Sequence, residues 1–409
     1  MKNTIFVQIA AYRDPELVPT LDSLFSNADN PDNLHVCIAY QYCEEDSFNK
    51  DMDKYRQNKN VTLLNIPHLE SKGACWARNK IQQEYKEEKY TLQLDSHHRF
   101  VPGWDTMCID MVESLQKKGH KKPLLTSYIP SYQPNNDPEG RVSVPWAMSF
   151  DRFIPEGPVF FLPYYLENQL NPLPARFFSA HFCFTLGEFS KEVQHDPEYY
   201  FHGEEITLAV RAYTHGYDLF HPNKVIAWHE YTRVGRTKQW DDDPEWTKKN
   251  TFCHTKVRSL LGIDGENEYQ ELYYGLGEER TLEEYERYAG IRFSDRSITQ
   301  NCKSNKTPGY EPENPIYFQE FRHAIDINLL MYTETDYTFC AVIFEDKNGI
   351  ELHRQDIPGE EFNAHLQQHR KNNTQYTIWR QYQGPKPANV ILWAHSQSKG
   401  WMTKQTIPV

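Results

Sequence analysis

Short apolar runs alternate with helical patterns along the first hundred residues. Residues 4–11, 34–41, 61–67 and 90–95 are apolar and β-prone, as is typical of strands buried in a parallel sheet. Apolar positions at helical spacing follow the first of these runs, and residues 72–86 carry a second helical pattern. The alternation predicts a doubly wound α/β fold, in which ligands bind at the carboxyl ends of the strands.

The middle of the chain changes in character. Residues 128–178 are rich in Pro, Tyr, Phe and Trp and have little periodicity, so we expect a long functional loop or, alternatively, a structural cover for the sheet. A helix is predicted from Glu204 to His215, with Gly216 as its stop. A short strand is expected directly after this helix, and another at 225–231.

The pattern divides the chain into three parts. Residues 1–265 form the α/β domain, and residues 266–315 are first acidic and helix-prone and then polar, as in a helical connector with a linker. From residue 316 onward the pattern predicts strands, and Asn348-Gly349 between two alternating runs indicates a hairpin. We therefore expect a small β-sandwich-like domain at 316–409.

Composition and charge narrow the class of protein. The 409 residues are 14% aromatic, which excludes wholesale disorder, and the net charge of -13 disfavours binding to nucleic acid or to an anionic membrane. No run of 18 apolar residues predicts a transmembrane helix, and the first apolar run is too short for a secretory signal. The eight scattered cysteines form no C-x-x-C pair, so we expect reduced thiols and a cytoplasmic location.

Two short motifs suggest metal chemistry. Asp95-x-His97 follows an apolar strand, and His229 ends another, so three side chains suited to Mn²⁺ or Mg²⁺ lie at strand ends. A metal in such a place bridges a nucleotide diphosphate and stabilises the leaving phosphate. Taken singly, Asp95-x-His97 is also explained by a cap and turn after a strand, and His229 by an ordinary buried or surface histidine.

Two further groups suggest binding of a phosphorylated sugar. Glu204 and Glu205 begin a helix, where the helix dipole favours carboxylates and where they could also orient a sugar hydroxyl or an acceptor. Lys72 and Arg78 lie near another helix start, as in a phosphate or uridine contact, although a solvated basic face explains them equally.

The order of these motifs resembles the GT-A class of nucleotide-sugar glycosyltransferases. Four segments, IAAYRDPEL, KGACWARN, LQLDSHHRFVPGWD and FHGEEITLAVRAYTHGYDLFHP, resemble the GlcNAc-transferase family that includes the Skp1 hydroxyproline GlcNAc-transferase. They are distantly similar to the mucin-type polypeptide GalNAc-transferases. The resemblance covers roughly residues 3–260 and implies a GT-A-like domain there. The last 95 or so residues lack a repeat and do not resemble a ricin-like lectin.

The resemblance implies a role for each motif. Asp95, His97 and His229 would hold the divalent metal, Glu204 would contact the donor sugar, and Glu205 would orient sugar or acceptor. The remaining residues would line the uridine diphosphate site, with Ser96 near the ribose or sugar: Ala10, Tyr12, Arg13, Gln41, Lys72, Arg78 and Ser96. His98 and Arg99 depart from the mucin-type pattern, and we expect His98 to be a packed turn residue.

The implied activity is a metal-dependent, retaining transfer of a sugar, GlcNAc from UDP-GlcNAc, to a hydroxyl of a protein or glycan acceptor. No nucleophile is evident in the sequence, so front-side attack by the acceptor hydroxyl is the preferred mechanism. Three alternatives stay open: a glycan-directed transferase of surface-polysaccharide synthesis, a metal-dependent hydrolase or nucleotidyltransferase, and a non-catalytic carbohydrate-binding protein.

Overall fold

The computed structural model describes residues 3–232, 235–263, 273–309, 316–317, 319–382 and 384–409. The strands in chain order are β1 (Ile5–Tyr12), β2 (Leu34–Tyr42), β3 (Val61–Pro67), β4 (Tyr90–Asp95), β5 (His98–Phe100), β6 (Lys122–Thr126), β7 (Trp146–Phe153), β8 (Val159–Tyr165), β9 (Leu173–Pro174), β10 (Phe182–Leu186), β11 (Tyr217–His221), β12 (Ala227–His229), β13 (Ile291–Arg292), β14 (Ser297–Ile298), β15 (Ile316–Tyr317), β16 (Gln319–Asp326), β17 (Tyr337–Glu345), β18 (Glu351–Pro358), β19 (Gln375–Tyr382), β20 (Asn389–Ser396), β21 (Gly400–Trp401) and β22 (Gln405–Pro408). The α-helices are α1 (Leu17–Ser26), α2 (Asp53–Arg56), α3 (Ala74–Gln82), α4 (Trp104–Lys117), α5 (Phe189–Glu192), α6 (Glu204–Thr214), α7 (Gln239–Asp242), α8 (Trp246–Leu261), α9 (Leu282–Ala289), α10 (Gln300–Lys303) and α11 (Gly359–Asn372).

A mixed sheet of eight strands, counted within the described residues, organises the first two thirds of the chain in the order β3-β2-β1-β4-β10-β6-β11-β9. The first four are parallel to one another, whereas β10 runs antiparallel to both β4 and β6. The N-terminal end of β10 therefore lies at the same edge as the carboxyl ends of β1 and β4. The predicted α/β fold is confirmed.

Alternate side chains of β1 point to opposite faces of the sheet, and both faces are covered by helices. Ile5, Val7 and Ile9 pack with the buried residues of α1 and α4. Phe6 packs on the other face, with Ala77 of α3. Burial on both sides explains why the strand reads as a continuous apolar run.

The aromatic segment 128–178 is more regular than expected. Strands β7 and β8 pair antiparallel within it, so the prediction of a wholly irregular loop is wrong for this part. Phe161 is buried in the core while its neighbour Phe160 is partly exposed. Aromatic side chains thus occupy both faces of the hairpin, which hides the two-residue alternation that would have revealed it.

The chain beyond residue 273 contains helix α9, as predicted, then a small sheet of β13, β14 and β15, and after it the strands of two larger sheets. Strands β16 and β19 join β7 and β8 in one sheet, and β17 and β18, which pair across the predicted Asn348-Gly349 hairpin, join β20, β21 and β22 in the other. Buried residues of both sheets share one apolar core with helix α11. Only Phe362 and Leu366 of α11 are apolar and buried, which is too sparse a pattern to have predicted the helix.

The division of the chain at residues 265 and 315 stays a prediction, and residues 264–272 and 310–315 of the predicted connector lie outside the described residues. None of the helices in the described ranges combines the length and hydrophobicity that crossing a bilayer requires. The cytoplasmic location also stays a prediction.

Gly203 positions the start of helix α6 and thereby its first two residues, Glu204 and Glu205. Its φ of 105° disfavours any other residue, and an added Cβ would lie 2.4 Å from Val257 Cγ2. We expect Gly203→Ala to lower the free energy of unfolding by about 2–4 kcal/mol, the sum of backbone strain and overpacking, as measured by urea denaturation.

Gly119 provides a matched control for that measurement. Its φ is 102°, but no atom lies within 4 Å of an added Cβ. Gly119→Ala should therefore cost about 1 kcal/mol, from backbone strain alone. If Gly203→Ala and Gly119→Ala lowered the free energy of unfolding equally, the tight packing of Val257 against Gly203 would be contradicted.

Candidate active site

The candidate site lies at the edge of the sheet where β1 and β4 end. Asp95 is the last residue of β4 and pairs with Ala10 of β1. His229 comes from far along the chain, because β12 pairs antiparallel with β5 and sets His229 opposite His98. This pairing places His229 beside the Asp95-x-His97 motif. His98 is itself buried in strand β5, not in a turn as expected.

Asp95, His97 and His229 converge on one point. Asp95 Oδ2 lies 3.4 Å from His229 Nε2 and 3.7 Å from His97 Nε2, and one ligand atom from each of the three residues lies within 4.8 Å of the others. Although burial opposes ionisation, the contact with His229 and the charge of Arg78 hold the pKa of Asp95 well below its usual range. Burial lowers the pKa of His229 well below 6.5, so its ring is neutral and has a lone pair available.

These residues fit a divalent cation. One carboxylate oxygen and two imidazole nitrogens form a mixed donor set that Mn²⁺ accepts, and three ligands leave room for further oxygen ligands. A second group, Cys75, His195 and Glu204, has ligand atoms at similar separations but fits less well. Burial raises the pKa of the Cys75 thiol well above 9.0, so this side chain is a protonated thiol and not the thiolate that binds a metal.

Asp14 orients His97. Its Oδ2 lies 2.8 Å from His97 Nδ1 and accepts a hydrogen bond from Ser96 Oγ at 2.6 Å. Arg236 Nη1 lies 3.3 Å from the same carboxylate and also contacts His97 Nδ1. Burial opposes ionisation of Asp14, but the contacts with His97 and Arg236 lower its pKa. Asp14 and Arg236 both contact the His97 ring at Nδ1, so Nε2 is the ring nitrogen that faces Asp95. When the Asp14 carboxylate accepts the Nδ1 hydrogen, Nε2 carries the lone pair that a cation needs.

Asp14 was not among the sequence-predicted site residues. Its place just after the first strand suggested a helix cap and also a polar group at a ligand-binding strand end, and Asp14 Oδ1 does accept the backbone N–H of Glu16 at 2.9 Å. The other carboxylate oxygen, Oδ2, contacts His97. Because β1 and β4 are neighbours and end together, a polar residue just past β1 was already a signal for the site.

A first compartment of about 180 Å³ opens on one side of the three metal-ligand candidates. Four predicted nucleotide-site residues line it: Ala10, Tyr12, Gln41 and Ser96. Lys72 is exposed outside this lining. Arg13 is also outside it, and its guanidinium pairs with Asp46 and Asp242 at 2.8 and 2.9 Å.

A segment after β12 closes this compartment and was missed by sequence reasoning. Its lining residues are Arg236, Thr237, Lys238, Gln239 and Trp240. Tyr12 Oη donates a hydrogen bond of 2.7 Å to Asp242, which ties the segment to the end of β1. No sequence motif marks the segment. Its place after His229, at a strand end facing the site, was the available signal.

A second compartment of about 420 Å³ lies on the other side. Arg78, Glu204 and Glu205 line it together with aromatic and imidazole side chains: Tyr128, Phe160, Phe161, His181, His202 and Tyr231. Asp95 and His229 line both compartments. Two of the three metal-ligand candidates therefore stand at the junction of the two compartments, and His97 lines the first compartment beside them.

Arg78 connects the metal-ligand candidates with the second compartment. Its Nη2 lies 2.6 Å from Asp95 Oδ1 and its Nη1 lies 3.0 Å from Glu204 Oε1. Cys75 Sγ donates to the other oxygen of Glu204. Both terminal nitrogens of Arg78 are thus held by protein carboxylates, so its contact with a diphosphate stays a prediction.

Glu205 is held between a backbone amide and a phenol. Its Oε1 accepts from Ala180 N at 2.9 Å and its Oε2 accepts from Tyr128 Oη at 2.8 Å. Burial raises the pKa of Glu205 to about 7, although these two hydrogen bonds oppose the shift. The carboxyl can thus hold or release a proton near neutral pH.

A sequence-family comparison identifies the chain. The family model described as glycosyltransferase (GlcNAc) matches residues 4–59 and 47–295, together more than half of the sequence. The chain belongs to this glycosyltransferase family. The family resemblance inferred from the motifs is confirmed, and the protein is a glycosyltransferase. No curated protein matches the sequence significantly.

This glycosyltransferase is also similar to solved structures, but with low sequence identity. GalNAc-T7, crystallised with UDP, GalNAc and Mn²⁺, is 13% identical with a TM-score of 0.49, over 98% of this chain and 68% of that one. S. aureus TarS 1–349 in complex with UDP-GlcNAc is 14% identical with a TM-score of 0.40, over 63% of this chain and 66% of that one. The mannosyltransferase PcManGT from Pyrobaculum calidifontis, in complex with GDP-Man and Mn²⁺, is 11% identical with a TM-score of 0.39, over 64% of this chain and 71% of that one.

The raised pKa of Glu205 predicts a pH-dependent stability. Between pH 4.5 and about 7 the folded protein retains a proton that the unfolded chain releases, so the stability contributed by this group falls as pH rises through that range. Glu205→Gln removes the effect. Relative to wild type, its free energy of unfolding should rise by about 2–3 kcal/mol between pH 5 and 7.5, measured by urea denaturation.

Glu278→Gln, at an exposed carboxyl, is the control and should follow the wild-type profile. A constant difference between Glu205→Gln and wild type across this pH range would contradict the raised pKa.

Proposed function

We propose that this glycosyltransferase moves GlcNAc from UDP-GlcNAc to a hydroxyl of a protein or glycan acceptor with the help of a divalent cation. The observation that carries the proposal is the junction of the two compartments at Asp95, His97 and His229. A nucleotide sugar has its diphosphate between its two halves. A cation at the junction therefore matches a uridine on one side and a sugar on the other.

The donor set supports Mn²⁺, with Mg²⁺ as the alternative. Asp95 Oδ2 and the Nε2 atoms of His97 and His229 would hold the cation, with His97 oriented by Asp14. When bound, the cation supplies positive charge that stabilises the diphosphate as the bond to the sugar breaks.

The nucleotide compartment supports a base and a diphosphate. Tyr12 and Trp240 offer aromatic surface, and Ala10 leaves room for a ligand close to the strand end. The cationic side chains that line the compartment are Arg236 and Lys238. We assign them, ahead of Lys72 and Arg13, to the charge of the departing UDP because they line the compartment and the other two do not. Arg236 is held there by its own ion pairs with Asp14 and Glu230, at 3.3 and 2.6 Å.

The second compartment supports the sugar and the acceptor. Carboxylates accept hydrogen bonds from hydroxyls, and Glu204 and Glu205 both line this space. Glu204 already pairs with Arg78 and Cys75, so its orientation is fixed before any ligand binds. A pre-ordered carboxylate binds a sugar hydroxyl without a further loss of side-chain entropy.

Front-side attack with retention remains the preferred mechanism, as the family resemblance implies.

A UDP-release assay tests the function. The wild-type protein is incubated with UDP-GlcNAc, UDP-GalNAc, UDP-Glc and UDP-Gal, with and without Mn²⁺, and with protein or glycan acceptors. We expect Mn²⁺-dependent UDP release that is fastest with UDP-GlcNAc and rises with an acceptor, and an α-linked product by NMR. Release that no acceptor stimulates favours a hydrolase, and absence of release with every donor favours a carbohydrate-binding protein.

Asp95→Asn should abolish Mn²⁺-dependent turnover. The amide keeps the shape of the side chain but removes the charge that a hard cation requires, so kcat/KM should fall by a factor on the order of 100 or more. Thermal unfolding checks that the protein still folds without the Arg78 ion pair.

Asp110→Asn, on the exposed face of α4, is the matched control and should retain wild-type turnover. Activity of Asp95→Asn that survives in a chelator would refute the metal assignment.

Asp14→Asn tests the orientation of His97 separately from the ligands themselves. An amide accepts the Nδ1 hydrogen more weakly than a carboxylate, so Mn²⁺ affinity should fall about 10–100-fold. Isothermal titration calorimetry with Mn²⁺ alone measures the effect. An unchanged dissociation constant would mean that Asp14 does not act through His97.

A further inference from the structure

His181 lies in the second compartment and takes no part in the metal-ligand group. It directly precedes β10, whose first residue, Phe182, pairs with Leu94 of β4. One step further along this antiparallel pair, His181 lies alongside Asp95. The residue is 7% exposed, and the surface that it keeps faces the compartment of Glu204 and Glu205.

The hydrogen bonds of His181 decide its tautomer. The backbone N–H of Ile129 donates to His181 Nε2 over 3.3 Å, and this hydrogen cannot rotate away. Nε2 must therefore be unprotonated, which puts the ring hydrogen of the neutral imidazole on Nδ1. Tyr231 Oη lies 3.2 Å from Nε2 and 2.8 Å from the carbonyl oxygen of Ile129, and its single hydrogen can serve either of these acceptors. When it points to Nε2 it agrees with the same tautomer.

The Nδ1–H group of His181 is available to a ligand. Within the described ranges no polar atom accepts its hydrogen, and Nδ1 is not among the fully enclosed, unpartnered atoms. The ring is held in place by stacking, with centroids 4.3 Å from His229 and 5.1 Å from Tyr128. A fixed, neutral donor thus stands beside the carboxylates of the compartment.

The surroundings of His181 match an acetamido group. Such a group has a carbonyl oxygen that only accepts, an N–H that only donates, and a methyl. Glu204 and Glu205 offer acceptors, and Val159, Phe160 and Phe161 offer an apolar wall. A hydroxyl could satisfy the carboxylates alone, whereas the carbonyl oxygen requires a donor such as Nδ1–H.

We propose that His181 Nδ1–H binds the carbonyl oxygen of the 2-acetamido group of the donor sugar, and so selects N-acetylated donors over their 2-hydroxy counterparts. The inference rests on the proposed function and adds to it a residue that decides donor specificity.

Two amide variants test the assignment. Gln places its amide near Nε2 and still accepts from Ile129, whereas Asn places its amide near Nδ1 and still offers a donor to the sugar. Both remove the ring and its stacking on His229, so the loss of stacking cancels in their comparison. For each protein, kcat/KM and Kd are measured for UDP-GlcNAc and UDP-Glc in the presence of Mn²⁺.

We expect wild type to prefer UDP-GlcNAc. His181→Gln should reduce the ratio of the two donors about 10-fold, and His181→Asn should keep it within about 3-fold of wild type. An equal reduction in both variants, or none in either, would overturn the assignment and leave His181 a packing residue.

Wild type alone provides a second test should either variant unfold. If it binds UDP-GlcNAc and UDP-Glc with equal affinity, the assignment of His181 is wrong although the transferase function stands. If it binds neither nucleotide sugar, the proposed function itself fails, and the inference fails with it.

Discussion

The buried guanidinium of Arg78 holds the candidate site together. It comes from helix α3 and binds Asp95 at the end of β4 and Glu204 at the start of α6. Removing one partner of a buried ion pair costs about 3–5 kcal/mol, because the other charge is left unpaired away from water. This one side chain therefore links a metal-ligand candidate with a sugar-site candidate.

Burial gives the histidines of the site their chemistry. Away from water the charged imidazole is disfavoured, and the pKa values of His98, His181 and His229 all fall well below 6.5. Neutral rings have one nitrogen lone pair and one N–H each. The geometry then separates the two rings: His229 turns Nε2 toward Asp95, whereas His181 turns Nε2 toward the backbone N–H of Ile129 and lines the second compartment.

Residues next to a recognisable strand or helix end were found from the sequence, and the structure brings most of them to one cleft. Asp95, His97 and His229 follow apolar strands, and Glu204 and Glu205 follow the Gly203 turn. Lys72 and Arg13, which the family resemblance placed in the nucleotide site, are not in the lining of the first compartment. Lys72 is exposed, and Arg13 pairs with Asp46 and Asp242. The general position of a side chain follows from its place along an element, whereas its direction depends on its neighbours.

The sequence by itself determined the α/β class, the parallel strands and the motifs at their ends, because periodicity and turn residues act locally. Only the tertiary structure decided that β12 pairs with β5, that Asp14 contacts His97, and that the segment from Arg236 to Trp240 lines the first compartment. These contacts join residues more than 80 positions apart. They depend on sheet order and strand direction, and the reversed direction of β10, which brings His181 to the site, leaves no periodic mark in the sequence.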